Sequence, residues 1–261
     1  MIVEREISEL VSACAGEVLS LRPTRYGFSS DLTALAECER GAFFVKAMRN
    51  RPGGRRDSLM RERDINPFVR DVAPELRWYA EDEAWCVLGF EPVEGRPSDI
   101  EPGSADLGLI ADLVSAVGAL ELPDVARHWP ETRCDAYVAD AGDAGWFRGD
   151  TLLHTDVNAD NVLIGAQRAW LVDWSWPTRG AGFIDPACFV LQLVAAGHEP
   201  AEAEAWASRC PAWTEADPRA IDAFARADVR MHEAFAACRP EADWLRALAA
   251  GAREWAAHRG L

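Results

Sequence analysis

The chain has 261 residues, 49% of them apolar, enough to bury a large core as one bilobed unit or as two ordinary domains. Its net charge of −16 argues against nucleic acid as a partner, no run approaches the roughly 18 apolar residues of a membrane span, and the charged start MIVEREISEL reads as a helix rather than a signal peptide. Seven cysteines, odd in number and without a CxxC pair, fit neither a disulfide framework nor a zinc site, so a cytoplasmic protein with reduced cysteines in packing roles is expected.

Charge is spread unevenly. Residues 1–70 carry 12 basic and 10 acidic side chains, whereas residues 71–160 carry 5 basic and 20 acidic, a net of −15. Two readings stay open: a solvated surface that keeps the protein soluble, or a negative entrance that concentrates a cationic substrate.

In chain order, RYGFSSD (25–31) is a Gly, Ser and Asp cluster suited to a tight loop whose backbone N–H groups face phosphates, with Gly27, Ser29 and Ser30 as its candidates. Two strand-like runs follow, DLTALAEC (31–38) and GAFFVKAM (41–48), joined by the turn ERG. The second holds Lys46, the one lysine among 27 basic residues. A chain that uses arginine wherever a surface cation is needed has kept a compact ammonium here, which suggests that a guanidinium does not serve at this position. Next, Asp57 or Ser58 is placed to cap a helix carrying Leu59, Glu62, Ile65 and Phe68 at helical spacing, which sets Glu62 to pair with a lysine on an adjacent strand. A lone strand lysine is usually an exposed edge residue and a helix glutamate is usually solvated; their order here points the other way.

WCVLGF (85–90) reads as a buried strand and EPVEGRPSD (91–99) as a breaker-rich hinge. A helix is expected over 106–122. TLLHTDVNADNVLIG (151–165) then gathers His154, Asp156 and Asn161 beside apolar strand-like residues, and a polar trio there is either hydrogen-bonded structure or a binding site. VLIG, the turn AQR and AWLVD form a hairpin that ends in Asp173. The C-terminal third is helical in pattern, with Pro or Asp at the helix starts. Its Trp206, Trp213, Trp244 and Trp255 pack the core or line a cleft, and Glu199, Glu202, Glu204, Asp222, Asp228 and Glu233 are either solvated or available to ligand ammonium groups.

On these residues the chain resembles the aminoglycoside phosphotransferase family, small-molecule kinases that share the protein-kinase fold. The family's catalytic loop, HGDxxxxN, stands here as HTDVNADN, with Thr155 in place of the usual glycine, a pattern expected by chance only about 0.006 times in a chain of this composition. Asp173 in LVDWSW matches the metal-binding acid, Trp174 stands where protein kinases have Phe, and Asp185 matches the Asp-Pro that opens the family's next helix.

The resemblance implies an α+β, bilobed, protein-kinase-like fold, with a small N-terminal nucleotide-binding lobe over residues 1–92 (antiparallel sheet and one helix) and a larger, mostly helical catalytic and substrate lobe over 93–261. It implies Mg²⁺-dependent transfer of the γ-phosphate of ATP or GTP to a hydroxyl of a small molecule. Asp156 then orients the acceptor hydroxyl, Asn161 and Asp173 are hard oxygen ligands to Mg²⁺, Lys46 holds the α- and β-phosphates, and Glu62 directs Lys46. The backbone around Glu91 and Val93 reads the purine edge. His154 supports the loop, and for Asp185 a helix N-cap is favoured over substrate contact. The short segment WSWPTRGAGFI after Asp173, with no Ala-Pro-Glu motif, favours a small acceptor over a folded polypeptide. An aminoglycoside or other cationic antibiotic, a metabolite such as an amino alcohol or a sugar, and a catalytically silent binding module remain as alternatives.

Overall fold

The computed structural model describes residues 2–24 and 30–261, with side chains from Glu4 onward. The chain divides into two compact units, Met1–Arg96 with Gly165–Trp176 and Pro97–Ile164 with Pro177–Leu261. Gly27 and Ser29 lie outside the described residues.

In the first unit, helix α1 (Ile2–Ala15) leads into strands β1 (Val18–Pro23), β2 (Leu32–Cys38) and β3 (Gly41–Arg49), helix α2 (Gly54–Ile65), and strands β4 (Leu76–Glu81) and β5 (Trp85–Phe90). These strands form one antiparallel sheet in the order β1-β2-β3-β5-β4. Alternation along β3 sorts its side chains between two layers. Val45 and Ala47 pack with Ile7, Val11 and Ala15, the apolar stripe of α1 at helical spacing, together with Trp85 and Val87. Met48 packs with Leu59 of α2 and with Cys86, Leu88 and Phe90 of β5. Lys46, between Val45 and Ala47, therefore shares the α2 side of the sheet, opposite Thr33 on β2 and Leu88 on β5.

Helix α2 begins a turn earlier than its polar residues suggest. Asp57 donates its N–H to Gly53 O (3.0 Å) and Ser58 Oγ donates to Arg55 O (2.7 Å), so neither caps the helix. Pro52-Gly53-Gly54 reads as loop, yet Gly53, with φ 139°, is the residue from which the helix enters. Phe68 falls in the 3-10 turn Asn66–Phe68 that follows and is half exposed.

The remaining elements are β6 (Gly95–Pro97), α3 (Leu107–Gly118), β7 (Thr151–Leu153), β8 (Val162–Gly165), β9 (Ala169–Leu171), β10 (Thr178–Gly180), α4 (Ile184–Ala195), α5 (Pro200–Ala207), α6 (Pro211–Thr214), α7 (Pro218–Cys238) and α8 (Asp243–His258). In the second unit β7 pairs antiparallel with β10, so the strand leading into His154 is fixed by the segment just before α4. Leu191 of α4 packs with Leu248 and Ala252 of α8. Phe224 of α7 takes edge-on contacts from Phe147 and Phe183. Proline at the first helical position starts α5, α6 and α7, and Asp217 caps α7 by accepting from Arg219 N (2.9 Å). Of the four C-terminal tryptophans, Trp213 and Trp255 are core, Trp206 is half-buried and Trp244 is exposed, with the Arg239 guanidinium 5.5 Å from its ring centroid.

All seven cysteines are free; four are buried, but Cys238 is exposed and plays no packing role. Among the described residues no helix is long and apolar enough to cross a membrane.

Gly89 on β5 faces Trp78, and an added Cβ would lie 2.1 Å from the indole. Gly89→Ala should therefore force the ring or the strand aside and destabilise the first unit by about 1–3 kcal/mol in urea unfolding.

Candidate functional site

In the first unit β3 carries Lys46 and α2 carries Glu62 on the same side of the sheet. Lys46 Nζ donates to Glu62 Oε1 at 2.7 Å and Oε2 at 3.0 Å, and to Asp173 Oδ1 at 2.9 Å. Lys46 and Glu62 are 6% and 4% exposed, so neither is the edge cation or solvated helix acid that single residues of these types usually are. Burial works against the Lys46 charge, but the charges of Glu62 and Asp173 outweigh it and lift its pKa above the ordinary lysine value. The two carboxylates thus favour the charged form of the ammonium. Glu62 also accepts from the Trp174 backbone N–H, which ties α2 to the segment carrying Asp173. Trp174 is buried and its indole donates to Leu171 O (3.0 Å), so tryptophan fills a core position at this turn. Asp173 has φ 63°, and Ser175 Oγ donates to its Oδ1.

In the second unit the HTD loop follows β7. Asp156 is exposed, while Asn161 is buried beside it. Asn161 Nδ2 donates to Asp156 O and Oδ2, both at 2.9 Å, and Asn158 Nδ2 donates to Asp156 Oδ1 at 2.9 Å. Asn158 Oδ1 in turn accepts from Asp160 N (3.0 Å) and Asn161 N (3.1 Å), closing the loop on itself. The Asn161 amide nitrogen is thus committed, and its Oδ1 is the oxygen donor it can offer a cation. His154 is 2% exposed, and its Nδ1 accepts from Asp156 N at 3.3 Å. It braces the loop.

Asp185 does not cap α4. That helix starts at Ile184 after Phe183, with no side-chain cap, and the buried Asp185 carboxylate instead accepts from His154 N (2.8 Å) and Thr155 N (2.7 Å). A first-turn Asp can face away from its own helix when a neighbouring loop presents unsatisfied N–H groups, which the linear sequence does not display. Burial pushes its pKa up, against the pull of those two amides and of His154.

Thr155, at the glycine position of the HGDxxxxN pattern it resembles, stands at φ 68°. This is the left-handed region that glycine enters at little cost and a β-branched residue enters under strain. Arg133 Nη1 donates to the Thr155 carbonyl at 3.2 Å. The same guanidinium grips buried Glu131 through Nη2 (2.8 Å) and Nε (3.2 Å), and Thr178 Oγ1 donates to Glu131 at 2.8 Å. Burial raises the Glu131 pKa, but the Arg133 bonds and charge overcome that and hold it below the usual carboxylate range.

The other sequence candidates separate. Ser30 sits half-buried at the bend before β2, next to Asp31, whose carboxylate accepts from Arg49 N (2.9 Å) and pairs with Arg55 (2.8 Å). The Glu91 amide donates to Glu75 O (2.9 Å) and its carboxylate pairs with Arg77 (2.8 Å), whereas Val93 lies half-buried in irregular backbone. Of the C-terminal acids, Glu204 and Asp222 both bind Arg259, Glu233 binds Arg253, and Asp228 is buried against His232 (3.1 Å). Glu131, Arg133, Asn158 and Ser175 are the residues that sequence reading passed over. ETR has no periodicity to mark it, and only the spacing Asn158, Asp160, Asn161 hinted at a side-chain-closed turn.

No protein-family model matches the chain, and no curated protein matches its sequence. Solved structures do match. Choline kinase LicA from Streptococcus pneumoniae aligns over 99% of this chain and 100% of its own with TM-score 0.69 and 14% identity, and LicA has also been solved in complex with AMP. A thermostable mutant of aminoglycoside phosphotransferase APH(4)-Ia aligns over 94% and 98% (TM-score 0.62, 14% identity), and amicoumacin kinase hAmiN, in complex with AMP-PNP, Ca²⁺ and Ami, over 98% and 93% (TM-score 0.60, 11% identity). The chain has the fold of these small-molecule kinases and phosphotransferases, α+β with a five-stranded antiparallel sheet followed by a mostly helical part.

Because the Glu131 pKa is depressed in the folded state, its contribution is present above the unfolded-state pKa and is lost as pH falls through the folded value. Glu131→Gln should cost about 1–3 kcal/mol near neutral pH and less in acid, read by urea unfolding at about pH 7 and about pH 3. An equal loss at both pH values would contradict an ionised Glu131.

Proposed function

We propose that this chain is a divalent-metal-dependent kinase of small molecules, moving the γ-phosphate of ATP or GTP to a hydroxyl and working in the cytoplasm. The observation that carries this reading is the buried Lys46 ammonium, aimed by Glu62 and in contact with Asp173. A core strand has no structural need of a charge, and burying one is costly unless it is paired. A phosphate-binding role explains why the cost is met at this one lysine.

Phosphoryl transfer passes through a loose transition state, so the protein mainly positions reactants and neutralises charge on phosphate oxygens. Lys46 would exchange its Asp173 contact for α- and β-phosphate oxygens while Glu62 keeps its direction. Asp156, exposed and steadied by two amides, would accept the hydrogen bond of the acceptor hydroxyl. The hydroxyl oxygen bonds to the γ-phosphorus as the bond to the β–γ bridging oxygen breaks, and the proton passes late to Asp156, so little basicity is required. Asn161 Oδ1 and the Asp173 carboxylate are hard oxygens of the class Mg²⁺ takes, and bound Mg²⁺ supplies charge neutralisation at the phosphates. The Glu91 amide is spent on Glu75, so base reading falls to the Glu91 carbonyl and the Val93 backbone.

The net charge of −15 over residues 71–160 favours a cationic acceptor. The names of LicA and APH(4)-Ia fit that preference, since choline and aminoglycosides carry ammonium groups. The panel to test is therefore aminoglycosides, other hydroxylated antibiotics, choline, amino alcohols and sugars, incubated with the protein, Mg²⁺ and ATP or GTP. One added phosphate on one compound, seen by mass spectrometry, establishes the reaction and the substrate class; no transfer together with no nucleotide binding favours a silent module.

Asp156→Ala should lower transfer by about a thousandfold or more while nucleotide affinity stays within about twofold; parallel loss of both would remove Asp156 from the acceptor side of the reaction. Lys46→Arg should impair turnover although charge is kept, because a planar fork does not fit the space of a compact ammonium held between the Glu62 and Asp173 carboxylates. Wild-type turnover in Lys46→Arg would mean that the position needs only a positive charge.

A further inference from the structure

The peptide joining Thr155 to Asp156 is one rigid plane, and it is held at both edges. Its carbonyl accepts from Arg133 Nη1 at 3.2 Å, and its N–H donates to His154 Nδ1 at 3.3 Å. The Asp156 side chain departs from this plane, so whatever fixes the plane fixes the starting direction of the carboxylate. Thr155 would not hold this conformation by preference, since φ 68° strains a β-branched residue. Asp185 secures the Thr155 N–H on the other side, and Arg133 reaches the carbonyl from outside the loop.

Arg133 is itself locked. Its backbone N donates to Glu131 Oε1 (2.8 Å) and its Nη2 to Oε2 (2.8 Å), while Glu131 is 3% exposed and bound by Thr178. A guanidinium can keep this carboxylate with one edge and serve a carbonyl with the other because its donors diverge in a fixed fork; an ammonium has no such geometry.

We propose that Arg133 is a positioning residue for phosphoryl transfer: anchored by Glu131, it sets the Thr155–Asp156 peptide plane and so aims the Asp156 carboxylate at the acceptor hydroxyl. The proposal rests on the phosphotransferase reading for its consequence, and on the loop geometry for its cause. It also accounts for threonine at a glycine position, since the external hold from Arg133 and Asp185 offsets the strain.

The test is a cycle of Arg133→Met, Thr155→Gly and the double variant of the full chain, read by turnover, nucleotide affinity and amide hydrogen exchange. Arg133→Met should lower kcat about 100-fold with nucleotide affinity unchanged, and only about tenfold in the Thr155→Gly background, because glycine adopts the left-handed backbone unaided. Equal losses in the two backgrounds would overturn the proposal and leave Arg133 as packing. Exchange decides without an acceptor: the amides of Thr155, Asp156 and Asn161 should exchange faster in Arg133→Met and slow again in the double variant, and unchanged exchange would overturn the hold on the plane. Should Arg133→Met fail to fold, Arg133→Lys keeps a cation beside Glu131 and should lose about tenfold with the same dependence on background. If the wild type neither transfers phosphate to any acceptor nor binds nucleotide, the phosphotransferase reading falls while exchange still upholds or overturns the role of Arg133.

Discussion

The first unit is organised around one buried ammonium. Lys46 lies on the central part of a five-stranded sheet, where a lone charge would cost several kcal/mol, and two carboxylates from different elements make it tolerable. Each partner constrains the fold in return. Glu62 must sit on the side of α2 that meets the sheet, and Asp173 must return to β3 although 127 residues separate it from Lys46. Register follows from the same demand, because a slip of one residue along β3 would turn Lys46 toward the apolar stripe of α1.

Strain marks the same motifs. Among the described residues, Thr155 and Asp173 are the two non-glycine residues with positive φ, at 68° and 63°. Such conformations persist only where surrounding bonds over-determine them. Around Thr155 these are the bonds from Arg133 and to Asp185; around Asp173 they are those of Lys46 and Ser175. Both residues belong to the two segments on which the proposed chemistry rests, where a fixed side-chain direction would serve it.

Legibility in the sequence varied with the range of the signal. GAFFVKAM and WCVLGF announced β3 and β5 because buried central strands are continuous apolar runs. The flanking strands β1 and β4 were not read: they sit at the sheet edges and are partly exposed, so they lack the continuous apolar run that marked the central strands. The start of α2 was misplaced because Pro52-Gly53-Gly54 is loop chemistry that here opens a helix. The pairing of Lys46 with Glu62 was legible because strand alternation and helix spacing each select one face. Asp185 and Arg133 were not, because each bonds a loop distant in sequence, 31 residues away for Asp185 to His154 and 22 for Arg133 to Thr155.

The sequence by itself determined the alternation of strands and helices, the HTDVNADN loop and the residue types available for chemistry, because periodicity and motif spacing are local properties of the chain. Tertiary structure alone decided that Asp185 binds loop amides rather than capping its helix, that Glu131 and Arg133 hold the Thr155 carbonyl, and that Trp244 is exposed while Trp255 is buried. The reason is that a hydrogen bond or a burial is set by which distant segment arrives beside a residue, and a side chain cannot announce in advance the partner it will meet.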